Sequence, residues 1–123
     1  MMDIRDIDSS CPFFTQVEQS GDSPVTVINT FIAPEGQIDA CLEAWRRECE
    51  VMTVQPGFIS AQLYRGVGDS RVLTNVAVWE SGDALKAVFA RKDFADSLIL
   101  PPDGSVAYPV LYEKMAMPGI CVA

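Results

Sequence analysis

The positions of hydrophobic and polar residues along the chain predict four β-strands. Residues that favour an extended backbone are concentrated at 25–33, 58–67, 71–81 and about 106–117. Successive side chains of a strand point to opposite faces of its sheet. The first strand carries apolar residues on both faces, so we expect it to be covered on both sides.

Two helices are predicted between these strands. After Pro34, apolar residues recur at intervals of 4, 3, 4 and 3 positions, which is the stripe of an amphipathic helix: Ile38, Leu42, Trp45, Cys49 and Met52. Ser81 is a plausible N-cap for the second helix. The buried side of that helix is predicted to hold Leu85, Val88 and Phe89, and a further helical turn is expected around Phe94 and Leu98.

The resulting order is β-α-β-β-α-β. A short glycine-containing connection at 66–70 favours a hairpin between the second and third strands. This order is typical of the α+β ferredoxin-like fold, in which a four-stranded antiparallel sheet carries both helices on one side. The other face of the sheet would be bare although it holds apolar residues, so we expect a homodimer in which two sheets pack face to face.

The chain divides into three parts. Residues 1–23 are acidic, rich in turn-forming residues and without clear periodicity, which predicts a partly ordered arm. Residues 24–118 form the domain, and residues 119–123 form a short tail. A chain of 123 residues is long enough for one domain with its own core.

Composition and charge exclude several classes of function. The formal net charge of −8 makes nucleic acid and anionic membranes unfavourable partners. The N-terminus carries aspartates where an export signal needs positive charge, so we expect a cytoplasmic protein with reduced cysteines. The chain has no histidine, which excludes a histidine-based triad. The four cysteines follow no metal-ligand spacing, and no metal site is predicted.

The strand at 71–81 holds the candidate site. Asn75, Ala77 and Trp79 share one face, where a small residue between a carboxamide and an indole leaves a hollow. Asparagine is depleted in strands, and burying its amide without a partner costs about 1–3 kcal/mol. A structural alternative gives Asn75 an internal hydrogen bond and Trp79 a place in the core.

Three further side chains are candidates for the same site. Asn29, on the first strand, has the same two interpretations as Asn75. Tyr64 is predicted to line a cavity or to lie in the dimer interface. Phe89 is a candidate for the wall that contacts substrate.

The residues resemble the antibiotic biosynthesis monooxygenase (ABM) domains of the dimeric α+β barrel superfamily over about 25–117. The resemblance rests on Gln55-Pro56-Gly57-Phe58, on the hairpin and above all on Asn75-Val76-Ala77-Val78-Trp79-Glu80-Ser81. Family members that form aromatic polyketide quinones carry asparagine and tryptophan at this spacing, which implies that Asn75 and Trp79 hold a phenolic substrate. The resemblance also implies a dimer that oxidises an aromatic ring with dioxygen as co-substrate and without flavin, haem or metal.

The chain departs from that pattern at two places. A tyrosine of the quinone-forming enzymes corresponds to Leu85, and the nearest candidates for their pocket arginine are Arg91 and Lys92. A haem-degrading branch resembles the chain at Asn29 and Trp79 but uses a histidine that ligates iron. The absence of histidine disfavours haem degradation, and haem binding through a tyrosine or cysteine ligand stays an alternative. Other chemistry on this fold remains open, namely a cyclase, an isomerase, a decarboxylase or a non-catalytic ligand-binding protein.

Overall fold

The computed structural model describes residues 3–94, 96 and 100–123. The elements follow in chain order: β1 Asp3–Ile4, α1 Phe13–Gln19, β2 Val25–Ile32, α2 Ile38–Met52, β3 Phe58–Arg65, β4 Val72–Trp79, α3 Gly82–Phe89 and β5 Val106–Tyr112. Leu98, which was predicted to lie in a further helical turn, falls outside the described residues. Among those residues, no helix combines the length and hydropathy needed to cross a membrane.

The sheet has five strands in the order β1-β5-β2-β4-β3. Strand β2 is central and pairs antiparallel with β4 and β5, and β3 pairs antiparallel with β4 through the predicted hairpin. The α+β ferredoxin-like fold is therefore confirmed. The predicted count of four strands is one too low, because β1 pairs parallel with the start of β5.

The last strand ends at Tyr112 and not near residue 117 as predicted. Tyr112 lies opposite Thr26, the second residue of β2, so β2 has almost no residues left to pair with a longer β5. Pro109 lies opposite Asn29, and β1 pairs only with Val106 and Ala107. A proline without an N–H therefore lies where the outer side of β5 has no partner strand, as expected from its chemistry.

The N-terminal segment packs on the domain through a helix that the sequence pattern does not reveal. Phe13 and Val17 of α1 are buried in the core. The Leu111 N–H donates a hydrogen bond of 3.0 Å to Oε1 of Gln16, which provides an acceptor for a backbone group on the outer side of β5. Only 7 residues form α1, so the apolar side chains complete too few turns to produce a recognisable period.

The outer face of the sheet is uncovered in the single chain. Register places Val76 of β4 opposite Ile28 of β2, and Ile28 opposite Val110 of β5. These three apolar side chains form a row across the sheet and are only partly buried. The helices cover the other face, where the fully buried Trp79, Leu73 and Leu85 lie.

The turn between α2 and β3 is expected to require glycine at residue 57. Gly57 has φ of 88°, and a Cβ added there would lie 2.5 Å from Cβ of Ala84 in α3. Gly36 has φ of 76°, but a Cβ there would meet no atom within 4 Å. The free energy of unfolding should fall by about 1–2 kcal/mol in Gly36→Ala from backbone strain alone. It should fall by a further ~1–3 kcal/mol in Gly57→Ala because of overpacking.

Urea denaturation of both variants measures this difference. Equal losses of stability in Gly36→Ala and Gly57→Ala would show that the close approach to Ala84 costs nothing.

Candidate functional site

A cavity of about 410 Å³ lies between the sheet and the helices. Its floor comes from one face of β4, which contributes Asn75, Ala77 and Trp79. The methyl group of Ala77 leaves space between the carboxamide and the indole, as the alternation of residues predicts. Helix α2 forms the opposite wall with Cys41, Ala44, Trp45, Glu48, Cys49 and Met52.

Two asparagines face each other across the floor of the cavity. Asn29 of β2 lies directly opposite Asn75 of β4 in the antiparallel register, and both line the cavity. The Oδ1 atom of each is buried and has no hydrogen-bond partner among the residues that the structure describes. A buried polar atom left unpaired costs about 1–3 kcal/mol. A bound molecule that hydrogen-bonds to these carboxamides would recover that free energy.

Aromatic side chains close one end of the cavity. Trp79 is 1% exposed, and its ring meets that of Phe58 edge to face at a centroid distance of 5.4 Å. Phe89 of α3 packs edge to face against Phe13, Phe14 and Phe94 at 6.1, 5.9 and 5.7 Å. These rings offer flat apolar surfaces to a planar ligand.

Helix α2 contributes two polar groups that the sequence pattern does not identify. The indole Nε1 of Trp45 is buried, and the described part of the chain offers it no acceptor. Glu48 also lines the cavity; its side chain is exposed to solvent, but desolvation by the surrounding protein raises the pKa of its carboxyl. Helical spacing could have indicated that Glu48 faces the domain, because Ala44 and Met52 lie four positions before and after it in α2 and both are buried. The stripe assigned from sequence ran through Cys49 and left Glu48 unassigned.

The thiol of Cys49 is not poised for nucleophilic chemistry. Burial, and to a lesser extent the charge of Glu48, raise the pKa of Cys49 to about 11. A thiol with such a pKa stays protonated near neutral pH and is a poor nucleophile. No three residues among histidine, cysteine, aspartate and glutamate in the described part of the chain are grouped to hold a metal ion.

The sequence matches the model of one protein family, Antibiotic biosynthesis monooxygenase (ABM), over residues 24–97. This match covers more than half of the 123 residues. The chain belongs to the ABM family. No curated protein matches the chain in sequence.

Solved structures of the same fold support this assignment. A presumed monooxygenase from Shewanella loihica PV-4 is 30% identical and aligns with a TM-score of 0.66, covering 80% of this chain and 99% of the other. SnoaB, a cofactor-independent oxygenase from Streptomyces nogalater, is 22% identical with a TM-score of 0.65, covering 79% and 98%. Rv0793 from Mycobacterium tuberculosis is 17% identical with a TM-score of 0.61, covering 79% and 100%.

The N-terminal segment adds to the cavity of this ABM protein from outside the matched residues. Ile4 of β1 and Phe13 and Phe14 of α1 line the cavity, although the family match begins at residue 24. The segment predicted to be a partly ordered arm therefore supplies part of the wall.

The prediction that Tyr64 lines the cavity is wrong for the single chain. Tyr64 pairs with Thr74 and is 58% exposed on the outer face of the sheet. An irregularity between Phe58 and Ser60 shifts the register of β3. Phe58 and Ala61 consequently line the cavity. Without the shift, Tyr64 would lie on the same face of the strand as Phe58; with it, Tyr64 points away from the cavity.

Arg91, predicted to contact substrate, also lies outside the cavity of the single chain. Its guanidinium donates hydrogen bonds to Oε1 of Gln55 at 2.7 Å and to the carboxylate of Asp93 at 2.9 and 3.1 Å. Lys92 is exposed. Leu85 lines the cavity and is fully buried, so an apolar group occupies the place of the tyrosine that the family resemblance suggested.

Proposed function

We propose that this ABM protein is a cofactor-independent monooxygenase that oxidises a phenolic, polyketide-like aromatic substrate with dioxygen to a quinone. The observation that carries the proposal is the pair of unpaired carboxamides, Asn29 and Asn75, in a cavity bounded by Trp79. Family membership and the fold shared with a cofactor-independent oxygenase support it.

The cavity suits a small planar molecule with a few polar atoms. Its volume of about 410 Å³ falls within the range of small-molecule sites, roughly 300–1,000 Å³. Apolar and aromatic side chains form most of its lining. Among the described residues, the buried side-chain atoms without a hydrogen-bond partner are Asn29 Oδ1, Asn75 Oδ1 and Trp45 Nε1. A ligand with hydroxyl donors and a carbonyl acceptor would complement them.

The carboxamides would act on the acidity of a phenol. Rotating an asparagine carboxamide by 180° exchanges its oxygen for its NH₂ group, so Asn75 can donate to a phenolate oxygen. Hydrogen bonds to the charged form lower the pKa of the phenol, whereas burial raises it. Asn29, directly opposite, supplies the second donor that a net gain requires.

The reaction needs no external reductant. The phenolate passes an electron to dioxygen, and a C–O bond then forms at an activated ring carbon. At a CH₂ group, as in an anthrone, two C–H bonds and the O–O bond break. One oxygen atom becomes the quinone carbonyl and the other leaves as water, so that R₂CH₂ and O₂ give R₂C=O and H₂O. The protein contributes binding geometry, hydrogen bonds and exclusion of water.

Oxygen uptake tests this function. The purified protein is incubated with a panel of anthrones and dihydroxynaphthalenes, and oxygen consumption is compared with quinone formation by absorbance. We expect equimolar consumption of oxygen and substrate without added cofactor. Absence of uptake with every phenol would contradict the proposal. Turnover under nitrogen would support a cyclase, isomerase or decarboxylase, and a Soret band on titration with haem would support haem binding.

We further propose that the outer face of the sheet forms a homodimer. Val76 lies in the apolar row that is only partly buried in the single chain. In Val76→Lys, each copy would place an unpaired charge in the interface at a cost of about 3 kcal/mol or more. The dissociation constant should therefore rise by more than about 100-fold.

Sedimentation velocity over a range of concentrations measures this change. Thr53→Lys is the matched control, because Thr53 is exposed at the end of α2 and adds the same charge. An unchanged dissociation constant in Val76→Lys would show that the interface lies elsewhere on the protein.

A further inference from the structure

We propose that the carboxylate of Glu48 is the base that accepts the proton of the substrate's phenolic hydroxyl. The inference rests on the proposed function and adds to it the group that removes the proton. Glu48 lines the cavity from α2, opposite the strands that carry Asn29 and Asn75. It supplies what a binding site made of amides and aromatic rings lacks.

Glu48 is the one carboxylate among the described residues that line the cavity. The other titratable groups of that wall are the thiols of Cys41 and Cys49 on the same helix. The parts of β1, α1, α3 and the remaining strands that line the cavity contribute apolar side chains and the two carboxamides, and none contributes a charged group. A proton that leaves the substrate inside the cavity therefore has a single carboxylate to accept it.

The surroundings of Glu48 differ from those of its neighbours on α2. Glu43 and Glu50 both form ion pairs with Arg46 on the exposed side of the helix. Glu48 forms no ion pair within the described part of the chain. Solvent reaches its side chain, yet desolvation by surrounding protein raises its pKa. A carboxyl group in a concave part of the surface is reached by solvent and is also surrounded by protein atoms that desolvate it. A carboxyl group on a convex surface is not desolvated in this way.

The proton transfer balances without another reactant. The phenolic O–H bond breaks, its electron pair stays on the substrate oxygen, and the proton binds a carboxylate oxygen of Glu48. The neutral acid then lies beside the site where dioxygen gains electrons. It can return the proton to the oxygen atom that leaves as water, so Glu48 is ionised again at the end of the cycle. Of the two protons released from the CH₂ group, one completes that water and the other restores the phenolic hydroxyl of the product.

The raised pKa fits this role. A carboxylate of ordinary pKa is a weak base toward a phenol, and raising its pKa brings the two groups closer in proton affinity. Glu48 can accept a proton only when it is ionised, above its pKa. We therefore expect kcat/KM to rise with pH through the Glu48 pKa, which lies above the ordinary glutamate value.

The variant Glu48→Gln tests the inference against Glu50→Gln as a matched control. Glutamine preserves size and removes the base, so kcat should fall by about 10²-fold or more. The acidic limb of the pH profile should also disappear. Glu50→Gln, two residues further on the exposed side of the same helix, should keep both the wild-type rate and the wild-type pH profile. Wild-type kinetics in Glu48→Gln would overturn the proposal and leave the monooxygenase function standing.

A binding measurement separates failure of this inference from failure of the proposed function. A hydroxyanthraquinone is already at the quinone level, so its binding under nitrogen needs no turnover. In the wild-type protein its affinity should increase as pH rises through the Glu48 pKa, because the carboxylate accepts a hydrogen bond from its hydroxyl. In Glu48→Gln the affinity should not vary over this range. Identical pH dependence in both proteins would contradict a contact with Glu48 even if no substrate is oxidised.

Discussion

Replacing Asn75 with alanine is expected to lower kcat for oxygen uptake by about 10²–10³-fold, the cost of removing one preorganised donor to a developing oxyanion. Asn75 lies on the floor of the cavity beside the Ala77 hollow, and Asn29 alone would remain to stabilise a phenolate. The loss should appear in kcat as well as in kcat/KM, because the hydrogen bond strengthens as negative charge develops.

Stability distinguishes this role from a structural one. Oδ1 of Asn75 is buried without a partner, so Asn75→Ala removes an unsatisfied group and should leave the melting temperature unchanged or higher. A side chain held by an internal hydrogen bond would instead lose stability on truncation. Asn75→Asp provides an isosteric control that cannot donate and places a negative charge beside the phenolate. Equal rates in Asn75→Ala and wild type would remove Asn75 from the mechanism.

Replacing Trp79 with alanine is expected to lower the free energy of unfolding by about 3–5 kcal/mol. Trp79 is 1% exposed, belongs to the core cluster with Leu85 and Val88, and packs edge to face on Phe58. The loss combines the transfer free energy of the removed apolar side chain with the cost of the cavity that it leaves behind. It is a substantial part of the roughly 5–15 kcal/mol that stabilises a typical domain.

Urea denaturation measures the effect, with Trp79→Phe as the control. Phenylalanine keeps an aromatic ring against Phe58 and should retain more of the stability than alanine does. A loss of less than about 1 kcal/mol in Trp79→Ala would show that the cavity wall collapses around the smaller residue.

Local patterns were enough to predict the face that forms the floor of the cavity. Residues of a strand alternate between two faces, so the order of residues in β4 places Asn75, Ala77 and Trp79 together in any sheet. The same logic failed for Tyr64, because a shift in register after Phe58 reverses the alternation along β3. Such an irregularity depends on pairing with β4 and leaves no mark in the order of residues.

Contacts between distant segments decided the rest of the candidate site. The positions of Asn29 and Asn75 are 46 residues apart, and only the register of β2 and β4 makes them direct neighbours. Arg91 was proposed as the nearest match to the pocket arginine that the family resemblance implies, but Gln55 and Asp93 hold its guanidinium outside the cavity. Glu48 faces the cavity because α2 rotates its Ala44–Met52 line toward the sheet.

The order of amino acids alone was enough to predict the order of the main strands and helices, the ABM resemblance and the faces of β4. These depend on backbone periodicity and on residues close together in the chain. Only the packing of the whole chain shows that α1 and β1 join the domain, that Asn29 and Asn75 lie opposite each other, and that Glu48 lines the same cavity. Packing and strand register set these relations, because they bring together groups that the order of residues leaves far apart.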